Sequence, residues 1–296
     1  MALPEGSDPD IEDDIGGDSL YVDAEEEEEH ADMWISDEEA NWARELKRAV
    51  EAPDSGLKPL SDLEYAQYAM VSEGDVGDAL ERIKVMAVLR ESYNVEDTVE
   101  QGVAALDRLS EILPGFLIHV DVSEDTGTSF LVIIVKNFDP AQVGSSERNW
   151  GTFMTALYYC MLSQQPTVRS IREGCYEMVD VQDMGWNNFD MNVEARWFRE
   201  FTHYIPIRYK SILMYNTNTL FHIAYSMVKP FMRQSQKDMV KFGCSFDWES
   251  HPSNTQCTLS DMYLQPSYEV AMERLLDRVA HLLAMRFQNN ASFALD

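Results

Sequence analysis

Residues 215–232 read Tyr-Asn-Thr-Asn-Thr-Leu-Phe-His-Ile-Ala-Tyr-Ser-Met-Val-Lys-Pro-Phe-Met, and the meaning of this stretch decides the fold. Thr217, Asn218 or Thr219 can each cap a helix, because a short side-chain oxygen accepts from the free N–H groups of a first turn. Behind the cap, Leu220, Ile223, Ala224, Met227, Val228 and Phe231 crowd one broad face at helical spacing. Pro230 then breaks helical continuity and permits a hinge. An ordinary core helix ended by proline has the same pattern, so the surrounding sequence has to decide between a core element and a movable one.

Working outward, Phe116–Val120 and Phe130–Val135 are short runs apolar on both faces, as strands inside a sheet are. Further strands are predicted at Tyr176–Val181, Ser211–Tyr215 and Val240–Phe246. Helical segments near 146–163, 190–204 and 218–229 separate most of them. Strands alternating with helices predict an α/β sheet, mostly parallel, with helices packed on it.

Residues 62–113 read as helical instead: Val76, Leu80, Ile83, Ala87 and Leu89 form one stripe, and Val99, Val103, Leu106 and Leu113 a second, stopped by Pro114-Gly115. Ser36-Asp-Glu-Glu39 is a capping box that opens an earlier helix through Trp42, Leu46 and Val50. A last helix, about 267–287, carries Leu275, Leu276, Val279, Leu282 and Leu283.

Net charge is −29, unevenly spread: residues 1–40 hold 17 Asp or Glu and no Lys or Arg. Residues 1–33 are therefore read as a disordered acidic tail, with too little apolar surface to bury. The overall balance argues against nucleic acid as a partner, since duplex binding needs a basic face. Residues 205–243 reverse the sign, with Arg208, Lys210, Lys229, Arg233, Lys237 and Lys241 against Asp238 alone. Basic residues beside an apolar helix suit transient contact with anionic membranes. The opening residues lack a signal-peptide pattern and no apolar run is long enough to span a bilayer, so the expectation is a cytoplasmic protein, peripheral on membranes.

No nucleophile elbow, phosphate loop or dinucleotide glycine pattern occurs, and no pair of histidines is spaced to bind metal on one helix face. His119 with Asp121, and Asp180 with Asp183, are the nearest to acid–base or metal pairs, but Asp at a strand end before Gly is more often a turn residue. The expectation is no catalytic residue, no metal and no cofactor. Cys160, Cys175, Cys244 and Cys257 match no zinc or redox spacing and read as reduced, mostly buried thiols.

Asn216, Phe221 and the run Val228-Lys229-Pro230-Phe231-Met232 together resemble the CRAL-TRIO lipid-binding domain, in which an Asn precedes an aromatic-rich helix ending in Lys-Pro-Phe. Gly174, Met178-Val179-Asp180 and Gly185 look like that family's upstream block, and Asp75-Val76-Gly77-Asp78-Ala79 like part of its amino-terminal helical unit. The resemblance covers about 60–250 with order preserved. It implies an N-terminal helical subdomain at 34–115, a lipid-binding domain with a mostly parallel sheet at 116–250, and here a C-terminal helical extension at 251–296. It also implies that the sheet forms a pocket floor, for which Phe130, Val132, Ile134, Val179 and Leu213 are the candidates. A mobile lid helix closes over it with Leu220, Phe221, Ile223, Ala224, Met227, Val228 and Phe231.

The implied function is a soluble lipid-binding and transfer protein that encloses one hydrophobic ligand and exchanges it at membranes, or else a lipid-sensing or protein-interaction module without transfer. In the phosphatidylinositol-transferring branch of the family, a Glu and a Lys help hold the inositol phosphate. Ile207 and Met239 stand at those places, which points to a sterol, tocopherol-like or carotenoid-like molecule ahead of a phospholipid.

Overall fold

Ser36 and Glu39 cap the first helix reciprocally: the Glu39 N–H donates to Ser36 Oγ at 3.2 Å and the Ser36 N–H to Glu39 Oε2 at 2.9 Å. The chain is described by a computed structural model over residues 35–242 and 268–295. The acidic segment 1–33, the continuation of the last strand to 246, Cys244, Cys257 and the 250/251 boundary lie outside the described residues.

Four helices come first: α1 (Asp37–Val50), α2 (Asp62–Val71), α3 (Val76–Ser92) and α4 (Val99–Ile112). Helix α1 buries Ala40, Ala43, Leu46 and Val50, a stripe with steps of three, three and four residues that packs against α2. A second capping box, Ser61 with Glu64, opens α2. In α3 the buried positions are Ala79, Ile83, Met86 and Leu89, whereas Ala87 is exposed and Val76 and Leu80 are only partly buried. The stripe expected through Val76, Leu80 and Ala87 is thus turned about the axis. The Asp75 cap fixes where the helix starts, and α-helical spacing from Ala79 selects Met86 over Ala87.

The sheet follows. Strands β1 (Leu117–Val122) and β2 (Ser129–Ile134) form an antiparallel hairpin, and β3 (Cys175–Asp180), β4 (Tyr209–Tyr215) and β5 (Val240–Phe242) join parallel in the order β1-β2-β3-β4-β5. Short α5 (Pro140–Val143), long α6 (Glu147–Ser163) and short α7 (Val168–Glu173) lie between β2 and β3; α8 (Met191–Trp197) and a π turn at Phe198–Thr202 lie between β3 and β4. After β4 come α9 (Thr219–Val228) and α10 (Gln234–Met239), and α11 (Tyr268–Ser292) is the last described helix. The architecture is α/β: a helical region, then a mostly parallel five-stranded sheet flanked by helices.

Helix α6 is the centre of the main core, with Trp150, Phe153, Met154, Leu157 and Tyr159 all at most 1% exposed. Leu275, Val279, Leu282 and Leu283 of α11 enter the same cluster, as do Leu46 of α1 and Leu106 of α4. Arg286, fully buried on α11, donates to Gln165 O at 3.0 Å and to Gln67 Oε1, so the last helix is tied to α2 and to the loop after α6. Asp121, half of the pair noted on β1, is ion-paired with Arg278 of α11 at 2.5 Å.

Gly174 makes the corner into β3. Its φ is +74° with ψ −174°, a region closed to L side chains, and an added Cβ would sit 2.6 Å from the backbone oxygen of Arg208. Its own carbonyl accepts from the Ser129 N–H at 3.1 Å, which fixes the β2–β3 register. Gly174→Ala is expected to lower unfolding free energy by about 2 kcal/mol, read by urea denaturation. A change within about 0.5 kcal/mol would mean that the corner relaxes without loss.

Candidate functional site

The β2–β5 register assigns every strand side chain to one of two faces. Ile133, Val179 and Met214 share a level, as do Leu131, Glu177, Ile212 and Val240. Together they form the face turned toward α8 and α9, because side chains alternate along a strand. Between that face and the helices lies a partly enclosed cavity of about 170 Å³. One water needs only roughly 10–15 Å³ measured the same way, so the space suits a larger guest. Val179, Ile212 and Met214 line its floor; Trp197 and Phe198 line one wall; Phe221, Ala224, Tyr225 and Val228 of α9 close it.

Asn216 and Asn218 set the angle of α9. Asn216 follows β4 in the left-handed region, at φ +52°, where Asn is tolerated better than most residues, and its amide donates to Asp180 Oδ1 at 3.0 Å. Asp180 ends β3, so the two strand ends are pinned together beneath the helix start. Of the three possible caps, Asn218 is the one used: its Oδ1 accepts from the Phe221 N–H at 2.8 Å, and its amide reaches Met184 O at 3.5 Å. At the far end Lys229–Phe231 tighten into a 3-10 turn containing Pro230, and Met232 turns back to line the cavity.

The helix has two unlike apolar faces. Phe221, Ala224, Tyr225 and Val228 recur at i, i+3, i+4 and i+7 and face the cavity. Ile223, Met227 and Phe231 are 45%, 42% and 43% exposed and run along the outer side. Phe221 stacks on Tyr225 with ring centres 6.1 Å apart, and the more exposed Phe242 of β5 meets Tyr225 edge to face at 5.0 Å.

Of the residues expected to hold a ligand, the structure brings Val179, Phe221, Ala224 and Val228 to the cavity wall. Phe130, Val132 and Leu213 form a separate cluster with Met178 on the opposite face of the sheet, and strand alternation places Ile134 on that face too. These four are corrected from floor to back face, with Ile133, Ile212 and Met214 taking their place. Leu220 is partly buried outside the lining, and Ile223, Met227 and Phe231 point away from it.

The basic residues also divide. Lys210 is paired with Glu173 at 2.9 Å, and Arg208 donates to Arg172 O at 3.4 Å. Both sit at the start of β4, roughly 20 Å of strand away from its lid end. Arg233 is committed to Asp78 of α3 at 3.0 Å and stacks over Tyr204 at 5.7 Å. Those three side chains are therefore tied within the fold. Exposed Lys229 and Lys241 and half-buried Lys237 have no ion pair among the described residues. Ile207 is buried in the main core and Met239 does not line the cavity.

Sequence reasoning passed over the polar residues of the lining. Asn188 is a scaffold group, donating to Lys136 O at 2.9 Å and Phe138 O at 2.8 Å. Gln236 donates to Thr202 O at 3.3 Å and accepts from the Arg233 N–H at 2.9 Å, which ties α10 to the π turn. Glu177 on β3 and Glu194 on α8 have no such partners among the described residues. Burial pushes the Glu177 carboxyl up to about 7; burial, with a smaller push from Asp190, brings Glu194 to about 7 as well. Cys160 and Cys175 are buried free thiols, and burial holds both well above the ordinary thiol range.

Residues 116–251 match the family model described as the CRAL/TRIO domain. None of the curated proteins compared with the chain matches it. Among the described residues, no helix is long and apolar enough to cross a membrane.

Proposed function

From the match of residues 116–251 to the CRAL/TRIO domain, a model of a lipid-binding and lipid-transfer family, we propose that this chain encloses one hydrophobic molecule and exchanges it at membrane surfaces. The observation that carries the reading is the cavity closed by α9, whose lining is apolar apart from a few side chains. Each CH2 group moved from water into such a space gains roughly 0.8 kcal/mol, enough to hold a long hydrocarbon without any covalent step. Helix α9 acts as the lid, hinged at Asn216 and at the turn around Pro230.

The outer face of the lid supports the exchange half of the proposal. Ile223, Met227 and Phe231 are exposed beside Lys229, an arrangement that suits insertion into the headgroup region of an anionic bilayer. Met227→Asp with Phe231→Asp is expected to weaken sedimentation with phosphatidylserine-containing liposomes by at least about tenfold while leaving uptake of a soluble apolar probe intact. Unchanged liposome binding would place the docking surface elsewhere.

Native mass spectrometry of the purified chain tests the reading as a whole. A stoichiometric bound lipid that passes into acceptor liposomes is the expected result. A bound lipid that never exchanges would favour a sensing or interaction module, and a folded chain that takes up no lipid would overturn both.

A further inference from the structure

Glu177 stands at a level of the sheet where its neighbours are Leu131 and Ile212, yet it carries a carboxyl group into the same cavity. The residue is 8% exposed, and neither a hydrogen bond nor an ion pair satisfies its carboxyl among the described residues. The titratable groups that face it are Cys175 on its own strand, Tyr209 on β4 and Cys160 on α6. None of them supplies a positive charge, and the Tyr209 hydroxyl turns instead to Met161 Sδ at 3.6 Å. Packing needs no acid here, since a leucine fills the matching position on β2, and a buried polar group without a partner works against folding.

We infer that Glu177 receives the polar end of the cargo, and that this end is a hydrogen-bond donor, a hydroxyl or an amine, in place of a carboxylate or phosphate. The inference rests on the carrier reading above. An ionised carboxylate offers only acceptor sites, so a donor head group satisfies it and an anionic one is repelled. A protonated carboxyl both donates and accepts, so a hydroxyl remains matched on either side of its titration. Glu194 lines the cavity from α8 with Asp190 beside it, adding negative potential that further disfavours an anionic guest. The hydrocarbon remainder then lies along Val179, Met214 and the inner face of the lid.

The test is displacement of Nile red from the full chain by four probes of equal length: dodecane, dodecanol, dodecylamine and laurate. For the unaltered protein, dodecanol and dodecylamine are expected to displace the dye at concentrations at least about tenfold below dodecane, with laurate the weakest. Glu177→Leu is expected to erase that preference while dodecane still displaces, which shows that the cavity is intact. Glu177→Gln is expected to keep the preference for dodecanol, since an amide oxygen accepts from a hydroxyl, and to lose the preference for dodecylamine. If Glu177→Leu fails to fold, the Glu177→Gln result decides alone. An alcohol-over-alkane ratio unchanged in Glu177→Leu, or an amine preference unchanged in Glu177→Gln, overturns the inference. Equal displacement by all four probes overturns it while leaving the carrier reading standing; failure of the unaltered protein to bind Nile red or any probe overturns both.

Discussion

Phe221→Asp is expected to reduce uptake of Nile red more than about 100-fold while far-UV circular dichroism stays close to that of the unaltered protein. Two effects add. Burial of a Phe side chain contributes roughly 1.5–3 kcal/mol, and its loss weakens both lid closure and contact with the guest. A carboxylate set in the same wall must then be desolvated or protonated whenever the cavity fills, at a further cost of the same order. The fold should survive, because Phe221 belongs to a small cluster with Val179, Val181, Met184 and Ala224, outside the main core around α6. Phe221→Leu is the control and should lose far less. Uptake by Phe221→Asp within about threefold of the unaltered chain would mean that α9 does not close the binding space.

The contrast between Phe221 and Met227 shows where sequence stops informing the site. Both lie on one apolar helix, and the apolar residues Leu220, Phe221, Ile223, Ala224, Met227, Val228 and Phe231 blur the stripe that normally marks the buried side. At 100° per residue, Ile223 lies about 200° around the axis from Phe221, and only the packed structure shows which of them meets the cavity. The strands present the same difficulty more sharply. The run from Phe130 to Ile134 is apolar throughout, so no alternation favours Ile133 over Val132. Its face is fixed by pairing with β3, where Ile133 lies beside Val179, and nothing local to β2 encodes that pairing.

What local chemistry does encode was readable. The Ser36–Glu39 box, Asn218 among the three caps and the Pro230 stop all depend on residues within a few positions. Asn216 and Asp180 were each visible as residue types, but their hydrogen bond spans 36 positions and emerges only when β3 and β4 lie side by side. The partners of the basic segment were hidden for a related reason. Charge counted along the chain treats Lys210 and Arg233 as free, whereas Glu173 and Asp78 arrive from other elements to pair with them.

Glu177→Gln is expected to stabilise the empty protein at pH 8 by an amount on the order of 3 kcal/mol, and to have almost no effect at pH 4. The direction follows from linkage. Burial raises the folded carboxyl from 4.5 to about 7, so between those values the folded state binds more protons than the unfolded one. Stability contributed by the neutral group is then complete below 4.5 and is lost as pH rises through about 7. A shift of about 2.5 units corresponds to roughly 3.4 kcal/mol at full effect, and glutamine, of nearly the same shape, avoids the loss because it never ionises. Glu194 shifts in the same direction but is present in both proteins, so it cancels in the difference. Urea melts of the two proteins at both pH values would measure this directly. Equal stabilisation at both values would show that packing, not charge, is responsible, and no stabilisation at pH 8 would mean that the carboxyl finds a partner in solution. A position where the native acid destabilises the empty fold above neutral pH is hard to explain by folding alone. It becomes intelligible if a guest with a donor head group satisfies the same carboxyl, because occupancy then restores what the empty cavity lacks.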